Sequence, residues 1–181
     1  SQDGDTGMQV GHVRQRTAWC TDAEMTHEDA LITTVARPHP RRSHRDCYPV
    51  AGAGLARFGD VDANGHLNNL ALASLHETAR AEFNTSVFPG VYRQATRNIR
   101  VVVASSVLHY LAEAHWPAAV DTGLGVGRIG RTSYVLSTAL FVGQTCVSLC
   151  DTVLVTLVDD VPAPIPDAAR EYLTANLLRF P

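Results

Sequence analysis

The apolar positions of this 181-residue chain fall into three textures. Up to about residue 46 they follow no clear period. SQDGDTG reads as a disordered start, DAEMTHEDALITTVA as a short helix, and ARPHPRRSHRD as an exposed linker rich in Pro, His and Arg. From Tyr48, YPVAGAGLARFG reads as a strand softened by Gly and Ala. Leu67, Leu70, Ala71, Leu75, Ala79 and Phe83 then recur near a 3.6 period, which predicts a helix from about 67 to 83. Leu72 and Ala73 widen its apolar surface, so burial on most sides is expected, with Asn84 and Pro89-Gly90 as the stop. The segments IRVVVASSVLHYLAEAHW, AAVDTGLGVGRIG, RTSYVLSTALFVG and TCVSLCDTVLVTLVDD predict four strands, joined mostly by short turns and hence antiparallel. VPAPIP stops the last strand, and DAAREYLTANLLRF, with Asp167 as N-cap, predicts a C-terminal helix. One helix serving a large antiparallel sheet buries itself only if the sheet curls around it. The organisation read from this is an arm over residues 1–46 and one α+β domain over 47–181.

Composition narrows the function classes. A net charge of -3 does not suggest a nucleic-acid-binding surface. No run of apolar residues is long enough to span a membrane, and the first residues carry no apolar leader, so a cytoplasmic setting is expected. All 15 basic residues are Arg, which excludes a Schiff-base lysine and a P-loop and leaves phosphate binding to Arg or backbone N–H groups. Cys20, Cys47, Cys146 and Cys150 form no CxxC pair and are expected to be buried, inert thiols, with Cys146 and Cys150 on one face of a strand. His39 and His44 are read as part of a solvated arm rather than as metal ligands.

The densest chemistry lies in RFGDVDANGHLNN, just before the long helix. Asp60, Asp62, Asn64 and Gly65 imitate the start of a calcium loop, but the twelfth position is Ala71 and a strand-like segment precedes it, so that reading fails. Gly125, Gly127 and Gly130 spell GxGxxG, but a β-branched strand follows where a dinucleotide site needs a helix. Neither G-x-S-x-G nor HExxH occurs. What remains is Asp62-x-Asn64-x-His66 at a helix start. A helix N-terminus offers unpaired N–H groups and partial positive charge to a developing oxyanion. A carboxylate beside it can attack a carbonyl or activate water, with His66 sharing the proton work and Asn64 orienting the attacking group. The same residue types also serve as a helix cap and turn, and residue types alone do not choose between the two.

The stretch resembles the signature of the hotdog-fold acyl-CoA thioesterases of the 4-hydroxybenzoyl-CoA thioesterase-like group: a strand, then D-x-D-x-x-G-H-x-N-N, then a helix carrying E-x-x-R. Asp60, Asp62, Gly65, His66, Asn68, Asn69, Glu77 and Arg80 supply that pattern. It is also similar to the D-x-N-x-H element of plant acyl-carrier-protein thioesterases. VGRIGRTS, residues 126–133, resembles a strand-turn-strand that follows in these proteins, and the likeness covers about residues 48–160.

The resemblance implies a hotdog fold, an antiparallel sheet of about five strands wrapped around one long central helix. It also implies pairing as a homodimer or a dimer of dimers. It implies hydrolysis of a fatty or aromatic acyl thioester, acyl-CoA or acyl-ACP, to the acid and a free thiol. Asp62 matches the catalytic aspartate, as nucleophile or general base, and His66 and Asn64 match the plant-type His and Asn. Gly65 and Leu67 bracket the expected oxyanion donors, with Asn68, Asn69 and Glu77 as further substrate-side residues. Asn69 stands where some relatives carry His or Tyr, and the Glu77–Arg80 pair also suits an i,i+3 salt bridge. Arg128 or Arg131 is the candidate contact for a coenzyme A phosphate. No metal or other cofactor is called for; coenzyme A or acyl carrier protein enters as part of the substrate. The alternatives are a non-catalytic acyl-binding or assembly protein of this fold, and an (R)-specific enoyl-CoA hydratase or dehydratase. The latter's G-D-x-N-P-x-H pattern is broken here, with no Pro after Asn64 and His66 one place late.

Overall fold

The computed structural model describes residues 37–180 apart from 96. The expected short helix DAEMTHEDALITTVA and Cys20 lie outside the described residues. Two short helical turns, Pro40–Ser43 and Arg45–Cys47, lead into strand β1 (Val50–Leu55), and a third turn, Phe58–Asp60, leads toward helix α1 (Asn69–Val87). Strands β2 (Arg100–Tyr110), β3 (Ala119–Ile129), β4 (Ser133–Val142) and β5 (Thr145–Val158) follow, then a two-residue β6 (Val161–Pro162) and helix α2 (Asp167–Ala175). The sheet order is β1-β3-β4-β5-β2, all antiparallel, with β6 paired to the end of β5. The sheet curls around α1 as the hotdog fold requires. No helix among the described residues is long and apolar enough to cross a membrane.

The four strands are antiparallel as their patterns predict, but β2 and β3 are not neighbours. Among the described residues β2 pairs only with β5, at one edge, and β3 lies next to β1 near the other. Residues 111–118 therefore cross the sheet, and they do so at the N-terminal end of α1, where the Leu67 N–H donates to the Ala114 carbonyl at 2.7 Å.

Helix α1 starts where capping chemistry permits. Asn68 accepts the Ala71 N–H on its side-chain oxygen at 2.7 Å, so the helix begins after Asn68 although the apolar period begins at Leu67. It also runs a turn beyond the expected stop. Asn84 is buried inside the helix and accepts a hydrogen bond from the Tyr134 hydroxyl at 2.6 Å, so an amide that reads as a terminator is a satisfied core group. The chain turns away at Phe88–Gly90, where Gly90 takes a φ of 82°. At the other helix, Asp167 is the first-turn acid and Pro166 is the N-cap.

The inner face of the sheet packs on one face of α1, not on most of its sides: Leu70 is 80% exposed, and Ser74, Glu77, Thr78 and Glu82 are exposed with it, because a single sheet reaches the helix from one side. Phe83 and Val87 meet Leu124, Val126, Tyr134, Leu136 and Leu154 toward one end, and Leu67 and Leu72 meet Val120, Leu140 and Val147 toward the other. Among these apolar layers sits His76, 2% exposed, between the Thr138 hydroxyl at 2.5 Å and the Ser148 hydroxyl at 3.0 Å. Burial pushes its pKa down to about 3, with the nearby Arg80 charge acting the same way.

The outer face is covered by the segment read as an exposed linker. Cys47 and Tyr48, together with Leu178 from the C-terminal end, pack on Ala139, Phe141 and Leu149. Tyr48 fits because β3 has Gly123 beneath it, where a Cβ would meet the ring at 2.8 Å. Arg42, 0% exposed, forks onto Asp151 of β5 with bonds of 3.1 and 2.7 Å, and its Nε donates to the Tyr48 hydroxyl at 3.1 Å. That hydroxyl donates in turn to the Arg42 carbonyl at 2.7 Å. Composition marked ARPHPRRSHRD as solvated; the buried carboxylate that draws Arg42 inward lies on a strand more than a hundred residues away.

Cys47, Cys146 and Cys150 are free and buried, and burial pushes the Cys146 thiol up to about 11. Cys146 and Cys150 do not share a face. The register between β4 and β5 shifts at Leu140/Phe141, leaving Val147 as the extra residue, and Cys146 turns to the outer cluster while Cys150 stands opposite Thr138.

These buried groups make the stability of the fold testable in two ways. Asp151→Asn, which strands the Arg42 charge, is expected to cost about 3–5 kcal/mol in urea denaturation, whereas Arg42→Met with Asp151→Leu recovers most of it because no charge is left buried. For His76 the folded state refuses a proton that the unfolded chain accepts near the usual 6.5. Between that pH and about 3 the unfolded state binds the extra proton, so stability falls as pH falls. His76→Gln, which keeps hydrogen-bonding capacity, is expected to flatten the thermal midpoint of the protein between pH 6.5 and 4.5 relative to wild type.

Candidate active site

The loop between β1 and α1 is folded by its own polar groups. Asp60 accepts the Arg57 N–H at 2.8 Å and pairs with its guanidinium at 3.1 Å, and its carbonyl accepts the Asn68 N–H at 2.8 Å. Asp60 is thereby structural. Asp62 organises the next turn: its Oδ1 accepts from the N–H groups of Asn64 at 2.8 Å and His66 at 3.3 Å. Its N–H and carbonyl pair with the His66 carbonyl and the Gly65 N–H, at 2.8 and 3.0 Å. The turn reverses at Gly65, whose φ of 81° suits glycine. Asp62 is exposed, and the hydrogen bond from Asn64, above all, holds its carboxyl below the usual carboxylate range.

These bonds settle which amides are open. The N–H groups of Gly65, His66, Leu67 and Asn68 are all donated within the loop or to Ala114, and Ala71 donates to Asn68. The expected donors at Gly65 and Leu67 are thus already engaged. Among the described residues, the N–H groups left without an acceptor at the start of α1 are those of Asn69 and Leu70.

A cavity of about 300 Å³ opens here, walled on one side by Asp62, His66, Leu67, Asn69 and Leu72 and on the other by Tyr110 to Ala114. Sequence reasoning missed this second wall. Glu113 and His115 belong to the crossing segment, and an extended chain puts residues two apart on one side, while Ala114 between them is 2% exposed. His66 Nε2 lies 3.3 Å from Glu113 Oε2, and the His66 and His115 rings meet edge to face at 4.7 Å. The only sign in the sequence was the alternation of Glu113 and His115 at the end of a strand-like run.

The other sequence-derived candidates are not in this group. Asn64 is exposed beside Asp62, and its contribution seen here is the turn amide. Glu77, two turns along α1, pairs with Arg80 at 3.3 Å and points to solvent, 72% exposed. Arg128 and Arg131 lie at the β3–β4 hairpin, at the opposite end of the sheet, roughly 30 Å along β3 from the cavity end. They do not reach this cavity.

The fold resembles solved structures over most of its length. The PA5185 protein of Pseudomonas aeruginosa PAO1 is 27% identical, covering 76% of this chain and 97% of that one with a TM-score of 0.68. A thioesterase from Thermus thermophilus, complexed with coenzyme A and Zn, is 29% identical over 71% of this chain and 94% of that one, TM-score 0.64. A thioesterase-superfamily protein from Jannaschia sp. CCS1 is 27% identical over 71% and 83%, also at 0.64. Comparison with curated proteins gives no sequence match. The family model described as the thioesterase-like superfamily matches residues 56–173, from the end of β1 through the loop, α1 and all the remaining strands into α2. A match of that extent, on a sheet curled around one helix with this polar turn at its mouth, makes the chain a member of the thioesterase-like superfamily.

Proposed function

We propose that the chain hydrolyses an acyl thioester whose carbonyl docks at the start of α1, with Asp62 activating the attacking water. One observation carries this reading: a single cavity joins an exposed carboxylate to a helix N-terminus whose Asn69 and Leu70 N–H groups have no acceptor among the described residues. Thioester hydrolysis places negative charge on the carbonyl oxygen in the transition state. Two amides and the positive end of α1 then stabilise that charge, each such donor being worth about 3–4 kcal/mol of barrier.

Asp62 suits the general-base role better than direct attack. Its Oδ1 is tied into the turn by two amides, which fixes the side chain and leaves the second oxygen for a water. The water adds to the carbonyl carbon and its proton passes to Asp62. The tetrahedral intermediate then collapses with cleavage of the C–S bond, and the thiolate takes the proton back. The products are the acid and a free thiol. His66, paired with Glu113, stands on the same wall as Asp62.

Coenzyme A is the favoured carrier, supported by the coenzyme A bound to the Thermus thermophilus relative; acyl carrier protein is the other carrier to test. Two copies of the chain are proposed to pair along β2, whose outer edge has no strand partner among the described residues. Tyr110 and Leu111, at the end of β2, are 46% and 40% exposed and line the cavity, so a neighbour on that edge would narrow its opening.

Free thiol is expected on incubation with acyl-CoA, read with a thiol reagent across short, long and aromatic acyl groups and alongside acyl-ACP. Asp62→Asn is expected to lower the rate about 10²–10⁴-fold, the usual contribution of general-base catalysis. Full activity in Asp62→Asn would sink the mechanism, and hydration of crotonyl-CoA without thiol release would replace the reaction by the hydratase one.

A further inference from the structure

We propose that His66, Glu113 and His115 form a binding site for a zinc-class divalent ion at the mouth of the cavity. The three side chains each offer one ligand atom, and these atoms all lie within 4.8 Å of one another. His66 Nε2 and Glu113 Oε2 are already 3.3 Å apart, the spacing of neighbouring ligands around a tetrahedral ion with bonds of roughly 2.0–2.2 Å. His115 completes the group from the exposed side.

The backbone presets this geometry. The 2.7 Å bond from the Leu67 N–H to the Ala114 carbonyl pins the two segments together, and the ligands are the immediate neighbours of those two residues: His66 before Leu67, Glu113 and His115 on either side of Ala114. His115 Nδ1 lies 3.1 Å from the Gly65 carbonyl oxygen. A carbonyl only accepts, so Nδ1 carries the proton and Nε2 keeps its lone pair. That is how a carbonyl behind a ligating histidine fixes its tautomer.

The donor set selects the ion. Two imidazoles and one carboxylate suit zinc and its neighbours, whereas calcium and magnesium require oxygen ligands throughout. Three protein ligands leave a fourth position for water, and two of them, His66 and Glu113, line the cavity that Asp62 also lines. The ion pair holds His66 and Glu113 together, and the Gly65 carbonyl and the His66 ring hold His115 beside them; a single divalent ion engages all three.

The proposal goes beyond the hydrolase reading and does not depend on it, because ion binding is read without substrate. Full-length protein, freed of metal with a chelator, is titrated with Co²⁺ and followed by visible absorption. One equivalent is expected to give the intense bands of a four- or five-coordinate ion, and Zn²⁺ is expected to abolish them by competition. His115→Ala and Glu113→Gln are each expected to weaken Co²⁺ binding at least tenfold while leaving the thermal midpoint of the metal-free protein in place, since both side chains are exposed. His39→Ala with His44→Ala is expected to change nothing. Absence of the bands, or bands of undiminished affinity in both His115→Ala and Glu113→Gln, overturns the site. Retained thiol release in that case leaves the hydrolase reading standing, and lost thiol release with intact bands does the reverse.

Discussion

Helix α1 has to bury one apolar face along its length, and a single curled sheet is what buries it. Everything at the candidate site follows from that constraint. The strand order sets β2 at one edge and β3 beside β1 at the other, so the link from β2 to β3 must cross the structure. It crosses at the end of α1 where the helix amides are open, and the Leu67–Ala114 hydrogen bond fixes it there. The cavity, the unpaired amides of Asn69 and Leu70, and the meeting of His66 with Glu113 and His115 are consequences of one crossover.

A second constraint acts on the outer face. A sheet that spends its inner face on one helix still has an apolar outer face to cover, here Ala139, Phe141 and Leu149. Residues 40–48 and the C-terminal end supply the cover, and doing so brings Arg42 into the interior. The bidentate bond to Asp151 and the Tyr48 hydroxyl make that burial tolerable. Such a pair contributes little to net stability, because desolvating the two charges offsets most of their attraction.

Much of the architecture was legible because periodicity survives folding. The 3.6 repeat from Leu67 to Phe83 marked the helix, and β-branched runs marked the strands. What failed was local chemistry with a distant partner. Asn84 reads as a stop until Tyr134 is placed beside it, and Arg42 reads as solvated until Asp151 is. Cys146 and Cys150 read as sharing a face until a bulge in β5 is counted. At the site, Asp62 and its turn were readable because their bonds lie within a few residues. Glu113 and His115 were not, since nothing in a sequence announces which strand end will cross a helix start.

The sequence by itself determined the elements and the polar turn: alternation and helical period are properties of neighbouring residues, and the bonds of Asp60, Asp62 and Asn68 close within the loop. The tertiary structure alone decided which amides stay open. Gly65 and Leu67 were as eligible as Asn69 and Leu70 until the turn and Ala114 took their N–H groups, since an amide donates fully to one acceptor and the fold assigns that acceptor.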